Sequence, residues 1–142
     1  MSGATRTEIF KVPAEKFFQV IIDYEKYPDF VDGVEEIKVL KKTENGAQVK
    51  FTVNIIKKFE YILDLVHKKN EEVSWTFNSG DLFKENTGGW KLKDLGSKGI
   101  EVTYYIDAEF KIFAPKMIVD KLVSKNLPAT MQAYFERAKK QK

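Results

Sequence analysis

The sequence predicts an α+β fold, in which a curved antiparallel sheet of about seven strands wraps around one long C-terminal helix. Three observations predict it: apolar and polar residues alternate through the middle of the chain, short turns separate these stretches, and an apolar stripe at helical spacing follows them. The chain has 142 residues, which is the usual length of one domain. We therefore expect a single domain over residues 1–142.

A short strand and two short helices are expected at the start of the chain. Residues 4–11 have the pattern of a strand. Pro13 suits the first position of a helix, because its missing N–H would have no partner there anyway. Apolar residues then recur at three- and four-residue spacing, which predicts a helix over residues 13–22. A second short helical segment is expected over residues 24–31, interrupted at Pro28.

Strands are expected to follow one another from Gly33 onward. Alternating side chains place one row toward a core and the other toward water. The pair Asn45-Gly46 is a hairpin signal, and Gly88-Gly89 predicts a bulge or a sharp bend. Short connections require neighbouring strands to be antiparallel. The expected strands cover residues 34–42, 47–56, 59–65, 73–77, 82–95 and 100–110.

One long helix is expected over residues 115–139, where apolar residues form a broad stripe at helical spacing. Pro128 lies in its middle. Proline removes a backbone hydrogen bond and clashes with the preceding turn, so a kink is predicted near residues 124–126. The stripe would cover the apolar face of the sheet.

Composition excludes several classes of site. The chain has no cysteine, which excludes disulfides, thiol nucleophiles, zinc–thiolate sites and iron–sulfur clusters. His67 is the one histidine, so a multi-histidine metal site is excluded as well. We expect neither a metal nor a cofactor. No apolar run exceeds three residues and the first residues contain no hydrophobic signal region, so a cytoplasmic protein without a membrane span is expected.

The charge balance is modest. With 24 basic and 21 acidic residues the net charge is +3, too little for the concentrated basic face that nucleic-acid-binding domains carry, so no DNA partner is expected. Four of the last six residues are basic. They suit the negative end of a helix dipole, and contact with anionic lipid or RNA is the alternative.

Several short motifs carry a resemblance to a known family. Asp23 precedes a Tyr-Pro-x-Phe sequence that begins at Tyr27, and Gly89-Trp90-Lys91-Leu92 and Phe135-Glu136-Arg137-Ala138 follow downstream. In this order the whole chain resembles the START-like helix-grip superfamily. Within that superfamily it is most similar to the polyketide cyclase/dehydrase group, which includes coenzyme-Q-binding proteins and ribosome-association toxins. The resemblance implies a sheet that grips the long helix around a mostly apolar cavity for lipids, sterols, isoprenoid quinones or polyketides.

An internal cavity for a hydrophobic ligand is the leading hypothesis. Aromatic residues make up 13% of the chain, and such side chains line pockets as well as fill cores. The alternative is a closed core in which the same residues meet the helix. The expected wall consists of inward strand residues and three helix residues: Phe51, Val53, Phe59, Tyr61, Leu63, Trp75, Phe77, Trp90, Leu92, Tyr104, Ile106, Leu122, Asn126 and Thr130.

Polar residues near this wall have two interpretations each. His67 has the parity of an inward residue at a strand end, and we expect a partly exposed structural histidine rather than a general base. Asp23 is expected to cap the second helix, with Tyr24 and Tyr27 packed over the sheet edge. The alternative is that these three residues gate the cavity mouth or bind a polar head group. Asn126 and Thr130 flank Pro128. They either hydrogen-bond to backbone groups that the proline kink leaves without partners, or they contact ligand oxygens.

Three functions follow from these patterns. The first is a non-enzymatic carrier of a hydrophobic molecule. The second is a polyketide cyclase or aromatase, for which Glu85 and Tyr104 are the candidate acid–base pair. The third is a ribosome- or partner-binding module that uses the outer surface and the basic tail. Peripheral contact with a membrane is left open.

Overall fold

Seven strands form one antiparallel sheet within the described residues of the computed structural model, which are 2–31, 33–54, 57–111 and 127–140. The strands are β1 (Ser2–Phe10), β2 (Val34–Thr43), β3 (Gly46–Asn54), β4 (Lys58–Lys68), β5 (Glu72–Gly80), β6 (Phe83–Asp94) and β7 (Ile100–Phe110). Their order across the sheet is β1-β7-β6-β5-β4-β3-β2. Consecutive strands from β2 to β7 are therefore neighbours, and β1 pairs with β7. The predicted fold class is confirmed.

The helices pack on one face of this sheet. Helix α1 (Ala14–Ile22) follows β1, and α2 (Leu127–Lys139) ends the described chain. The second helical segment is a 3₁₀ helix (Tyr24–Asp29) that contains Pro28, which cannot donate a backbone hydrogen bond. The predicted kink near residues 124–126 lies outside the described residues. None of the described helices is long and apolar enough to cross a membrane.

The expected bulge at the two adjacent glycines of β6 is not found. Gly88 and Gly89 stay in continuous register with Ile106 and Tyr105 of β7. Instead, both glycines allow close packing: a Cβ at Gly88 would lie 2.6 Å from Cζ2 of Trp75, and one at Gly89 would lie 2.8 Å from the Tyr105 hydroxyl. The bulge was predicted wrongly because these positions need a small residue and not an irregular backbone, whereas the predicted bend stays a prediction.

One end of the inward face is filled by aromatic side chains from α1, α2 and β1. Phe10 stacks on Phe135 at 4.5 Å and on Phe17 at 5.7 Å between ring centroids. Tyr134 of α2 packs against Trp90 of β6 at 4.5 Å. The Tyr27 hydroxyl donates a hydrogen bond to the Ile21 carbonyl and fastens the 3₁₀ helix to α1. Aromatic contacts therefore bind the helices to this end of the inward face.

Candidate ligand-binding site

The predicted wall residues of the strands share one face of the sheet. Directly opposed residues of neighbouring strands point to the same side, and the register opposes Phe51 to Tyr61, Leu63 to Phe77, and Trp90 to Tyr104. The structure therefore brings the predicted strand residues together. Of the three helix residues, Thr130 is half-buried on α2, whereas Leu122 and Asn126 lie outside the described residues.

Burial divides these side chains into two groups. Those packed tightly are Phe51, Val53, Phe59, Leu63, Trp75, Trp90 and Leu92. Those that keep accessible surface, although they lie on the inward face, are Tyr61, Phe77, Tyr104 and Ile106. The second group covers the middle of β4, β5 and β7, so the inward face is not completely closed there.

Aromatic rings continue the wall toward the start of β6. Tyr61 stacks on Phe51 at 5.1 Å and meets Phe83 edge-on at 5.0 Å. Phe83 lies 5.1 Å from Phe110, at the end of β7. Neither Phe83 nor Phe110 was among the predicted wall residues. Four strands thus contribute rings to one apolar surface.

Two tyrosine hydroxyls supply polarity within this surface. Burial raises the pKa of Tyr61 and of Tyr104 well above the ordinary value, so both phenols are neutral at physiological pH. The Tyr104 ring packs against Trp90 at 4.6 Å and against Trp75 at 5.8 Å. No hydrogen bond joins either hydroxyl to another described residue. Each can therefore donate to, or accept from, an oxygen of a ligand.

Asn86 is a buried polar residue that the sequence analysis missed. It is 3% exposed, and its Oδ1 accepts a hydrogen bond of 2.9 Å from the Trp75 indole. A usable signal existed, since Asn86 shares its parity along β6 with Trp90 and Leu92. The surrounding polar run hid it, because Lys84, Glu85 and Thr87 suggest a solvent-facing stretch.

A match between the sequence and a family profile shows which family the chain belongs to. The family profile described as "Polyketide cyclase / dehydrase and lipid transport" matches residues 10–135. The chain belongs to this family. The resemblance drawn from the motifs at Asp23 and Tyr27 is thereby confirmed.

Curated proteins with similar sequences include several that are named as toxins. Ribosome association toxin RatA of Escherichia coli (strain K12) is 28% identical over 143 residues, covering 98% of this chain and 88% of that protein. Persistence and stress-resistance toxin PasT of Escherichia coli O6:H1 has the same identity and coverage. RatA of Pseudomonas aeruginosa is 26% identical over 139 residues, covering 94% of this chain and 93% of that protein.

Solved structures share the fold at low identity. The Zhui aromatase/cyclase from Streptomyces sp. R1128 matches with a TM-score of 0.84 at 13% identity, over 97% of this chain and 93% of that one. A START superfamily protein from Mycobacterium smegmatis matches with a TM-score of 0.81 at 20% identity, over 96% and 97% of the two chains. These matches confirm the START-like architecture of the family member described here.

The acid–base pair suggested for a cyclase of this family is not assembled. Glu85 is exposed and opposes Glu109 in the register, whereas Tyr104 is on the inward face. Asn86 and Trp90 face inward in continuous register with β7, so ordinary alternation along β6 places Glu85 on the outer face. The extra residue between Phe83 and Glu85 brings Phe83 to the inward face as well.

His67 is buried rather than partly exposed, so that expectation was wrong. It is 6% exposed, and its Nε2 lies 2.7 Å from the Tyr24 hydroxyl. Phe18 of α1 and Tyr24 of the 3₁₀ helix cover the end of β4 where His67 lies. Burial lowers the pKa of His67, the positive charge of Lys42 lowers it further, and a backbone hydrogen bond with Glu44 opposes both effects. The cluster is a structural clasp between the sheet and the helices.

Two of the three junction residues are buried in the core. Asp23 precedes the 3₁₀ helix but makes no side-chain capping hydrogen bond, contrary to expectation. Tyr24 and Tyr27 are 1% and 6% exposed and belong to the core. His67 stands six residues from Tyr61 along β4, about 20 Å in an extended strand, so this clasp is distant from the open part of the wall.

Proposed function

We propose that the protein binds and carries a hydrophobic molecule between the inward face of the sheet and its C-terminal helix, acting as one domain. Family membership supports the binding of hydrophobic ligands in general. One observation on this chain carries the proposal further: Tyr61, Phe77, Tyr104 and Ile106 lie on the inward face and pack against the core, yet they are only partly buried. Residues of a closed core would have lost their accessible surface.

The energy for binding comes from apolar burial. Removing roughly 300 Å² of ligand surface from water gives about 7 kcal/mol before the costs of association. The aromatic wall from Phe51 to Phe110 supplies the apolar partner surface. The hydroxyls of Tyr61 and Tyr104 then orient whatever polar group the ligand carries. A lipid, an isoprenoid quinone or a polyketide-like molecule fits this description.

Carriage is proposed over catalysis on physical grounds. General acid–base catalysis is most efficient when the pKa of the group lies near the working pH. Burial moves the pKa of Tyr61 and Tyr104 away from that range. Glu85 is on the outer face, and His67 is engaged with Tyr24. The interior groups are suited to hold a ligand.

Native mass spectrometry of protein purified from its own host tests the proposal. We expect adducts of one or a few apolar species, which solvent extraction releases for identification. A matched panel of quinones, phospholipids and sterols is then added to delipidated protein. Protein that is empty as purified and binds no member of the panel would contradict the proposal.

We also propose association with the ribosome as a second candidate function, because the curated relatives that cover almost the whole chain include proteins named as ribosome association toxins. The basic end of α2 offers exposed cations, since Lys139 and Lys140 are both solvent-exposed. Contacts with RNA phosphates weaken as salt rises. Co-sedimentation with ribosomes should therefore decrease from about 50 mM to 200 mM salt.

A variant with Lys139→Gln and Lys140→Gln should lose this co-sedimentation. The matched control is Lys69→Gln with Lys98→Gln, which removes the same charge from the tips of two hairpins. Equal loss in both variants would indicate a non-specific charge effect. Absent or salt-insensitive co-sedimentation of the parent protein would argue against the second function.

A further inference from the structure

Trp75 and Asn86 form a buried pair whose geometry depends on a glycine. The indole of Trp75 lies directly on β6, since a Cβ at Gly88 would come within 2.6 Å of its Cζ2. In this position the indole Nε1 reaches Oδ1 of Asn86 at 2.9 Å. Gly88 and Asn86 are two residues apart on β6, so both face the interior.

The indole fixes which end of the Asn86 amide is available. Trp75 Nε1 is a donor and cannot accept, so Oδ1 of Asn86 must be the atom that faces it. The Nδ2 group, with two N–H donors, is directed elsewhere. It makes no hydrogen bond with any other residue in the described ranges, although Asn86 is 97% shielded from solvent, being 3% exposed. Ala108 opposes Asn86 on β7.

The charged groups of the inward face do not approach this amide. Arg6 of β1 opposes Tyr104 in the register, but its guanidinium is paired with Glu8 at 2.7 Å, and both side chains are partly exposed. Lys42 donates to the Ile22 carbonyl at the far end of the sheet. A carboxylate brought to Asn86 would lose its hydration without gaining a cation from the described residues.

We propose that Asn86 is a specificity-determining residue that donates a hydrogen bond from Nδ2 to a carbonyl oxygen of the bound molecule. The inference rests on the proposed carrier function and adds selection to it: among apolar molecules of one shape, those with a neutral carbonyl bind more tightly. No fully buried side-chain nitrogen or oxygen of the described residues lacks a partner, so Nδ2 keeps a small accessible area through which a ligand carbonyl can accept its hydrogen bond. Trp75 is the positioning residue that directs the amide.

Two tricyclic probes of the same shape test this selectivity. The first is 9-fluorenone, which has one carbonyl, and the second is fluorene, which has a methylene group in its place. Calorimetry on the delipidated full chain gives the ratio of the two affinities. A third probe, fluorene-9-carboxylate, should bind more weakly than fluorenone because its charge is not compensated.

The main variant is chosen so that it leaves no buried group unpaired. Asn86→Leu alone would leave the Trp75 N–H without an acceptor, so it is combined with Trp75→Phe, which removes both partners together. Trp75→Phe alone is the matched control: the Asn86 oxygen loses the indole there, but the amide keeps its N–H donors. Relative to that control, the double variant should lose about tenfold in its preference for fluorenone over fluorene.

Two spectroscopic measurements report on the hydrogen bond itself. The carbonyl stretch of bound fluorenone should lie at lower frequency in the parent protein and in Trp75→Phe than in the double variant. The side-chain amide resonances of Asn86 should shift when fluorenone binds but not when fluorene binds. These resonances are read on the parent protein, so the test does not depend on the folding of a variant.

The outcomes separate this inference from the carrier proposal. If both probes bind the parent protein, and the Asn86 amide does not respond or the preference is unchanged in the double variant, the role of Asn86 is overturned and the carrier function survives. If neither the probes nor the lipid panel bind the parent protein, the carrier function falls and the inference falls with it.

Discussion

His67 shows how a single titratable group in this fold reports on folding. Its side chain lies between Phe18 and Tyr24, with the ammonium of Lys42 nearby. Burial first and the charge of Lys42 second lower its pKa below the ordinary value of 6.5. The folded protein therefore keeps this imidazole neutral at a pH where the unfolded chain has already bound a proton.

The pH dependence of stability follows from that difference. Between the lowered folded pKa and the unfolded value of 6.5, the unfolded state binds more protons. Stability is consequently complete above pH 6.5 and decreases as the pH falls. Urea titrations from pH 5 to 8 should show uptake of up to about one proton on unfolding. His67→Gln should flatten this part of the profile; an unchanged profile would show that another group is responsible.

The residues of the candidate site differ in whether the sequence could predict their inward orientation. Tyr61, Trp75 and Tyr104 could be predicted because alternation alone places them on the inward face. Asn86 was missed because it stands in a polar run, although its parity with Trp90 and Leu92 assigns it to the inward face. Its position depends on a tertiary contact with Trp75, and only the fold brings these two residues together.

At the scale of elements, the strands were predictable and their irregularities were not. Period-two alternation placed all seven strands to within a few residues, and the Asn45-Gly46 signal located the hairpin between β2 and β3. The bulge was expected at Gly88 but lies between Phe83 and Glu85. Alternation gives the faces of a regular strand, and an extra residue changes them without a distinct local signal.

Strand β7 allows a test of whether the interior is hollow. Ile106 faces inward and keeps accessible surface, whereas Asp107 faces the outer side of the same strand. Ile106→Trp should fill the ligand space and lower the affinity for an apolar ligand by tenfold or more (about 1.4 kcal/mol). It should cost less than the ~1–3 kcal/mol that overpacking a closed core costs. Affinity is measured by calorimetry and stability by urea unfolding.

Asp107→Trp is the control for that experiment. It adds the same indole on the outer face, where it should leave ligand affinity unchanged. A large loss of stability in Ile106→Trp, with no bound ligand in the parent protein, would instead indicate a filled core. The measurement therefore decides between the two interpretations of the aromatic row.

At the scale of the whole molecule, a carrier should be more stable when it is loaded. A ligand that binds only the folded state adds RT ln(1 + [L]/Kd), about 2.7 kcal/mol at a concentration one hundred times Kd. Protein purified with its resident ligand should therefore melt several degrees higher than the same protein after delipidation. Differential scanning calorimetry measures the shift. Identical melting temperatures before and after extraction would mean that the purified protein carried no bound ligand.

The pairing of β1 with β7 has a consequence for synthesis. Ser2 lies opposite Ala108, so β1 cannot pair during synthesis until β7, far along the chain, has been made. Closing so long a loop is entropically expensive, and distant pairings form slowly. The hairpins from β2 to β7 can assemble in succession as they emerge. Throughout that interval β1 is an unengaged segment, available to chaperones before it completes the sheet.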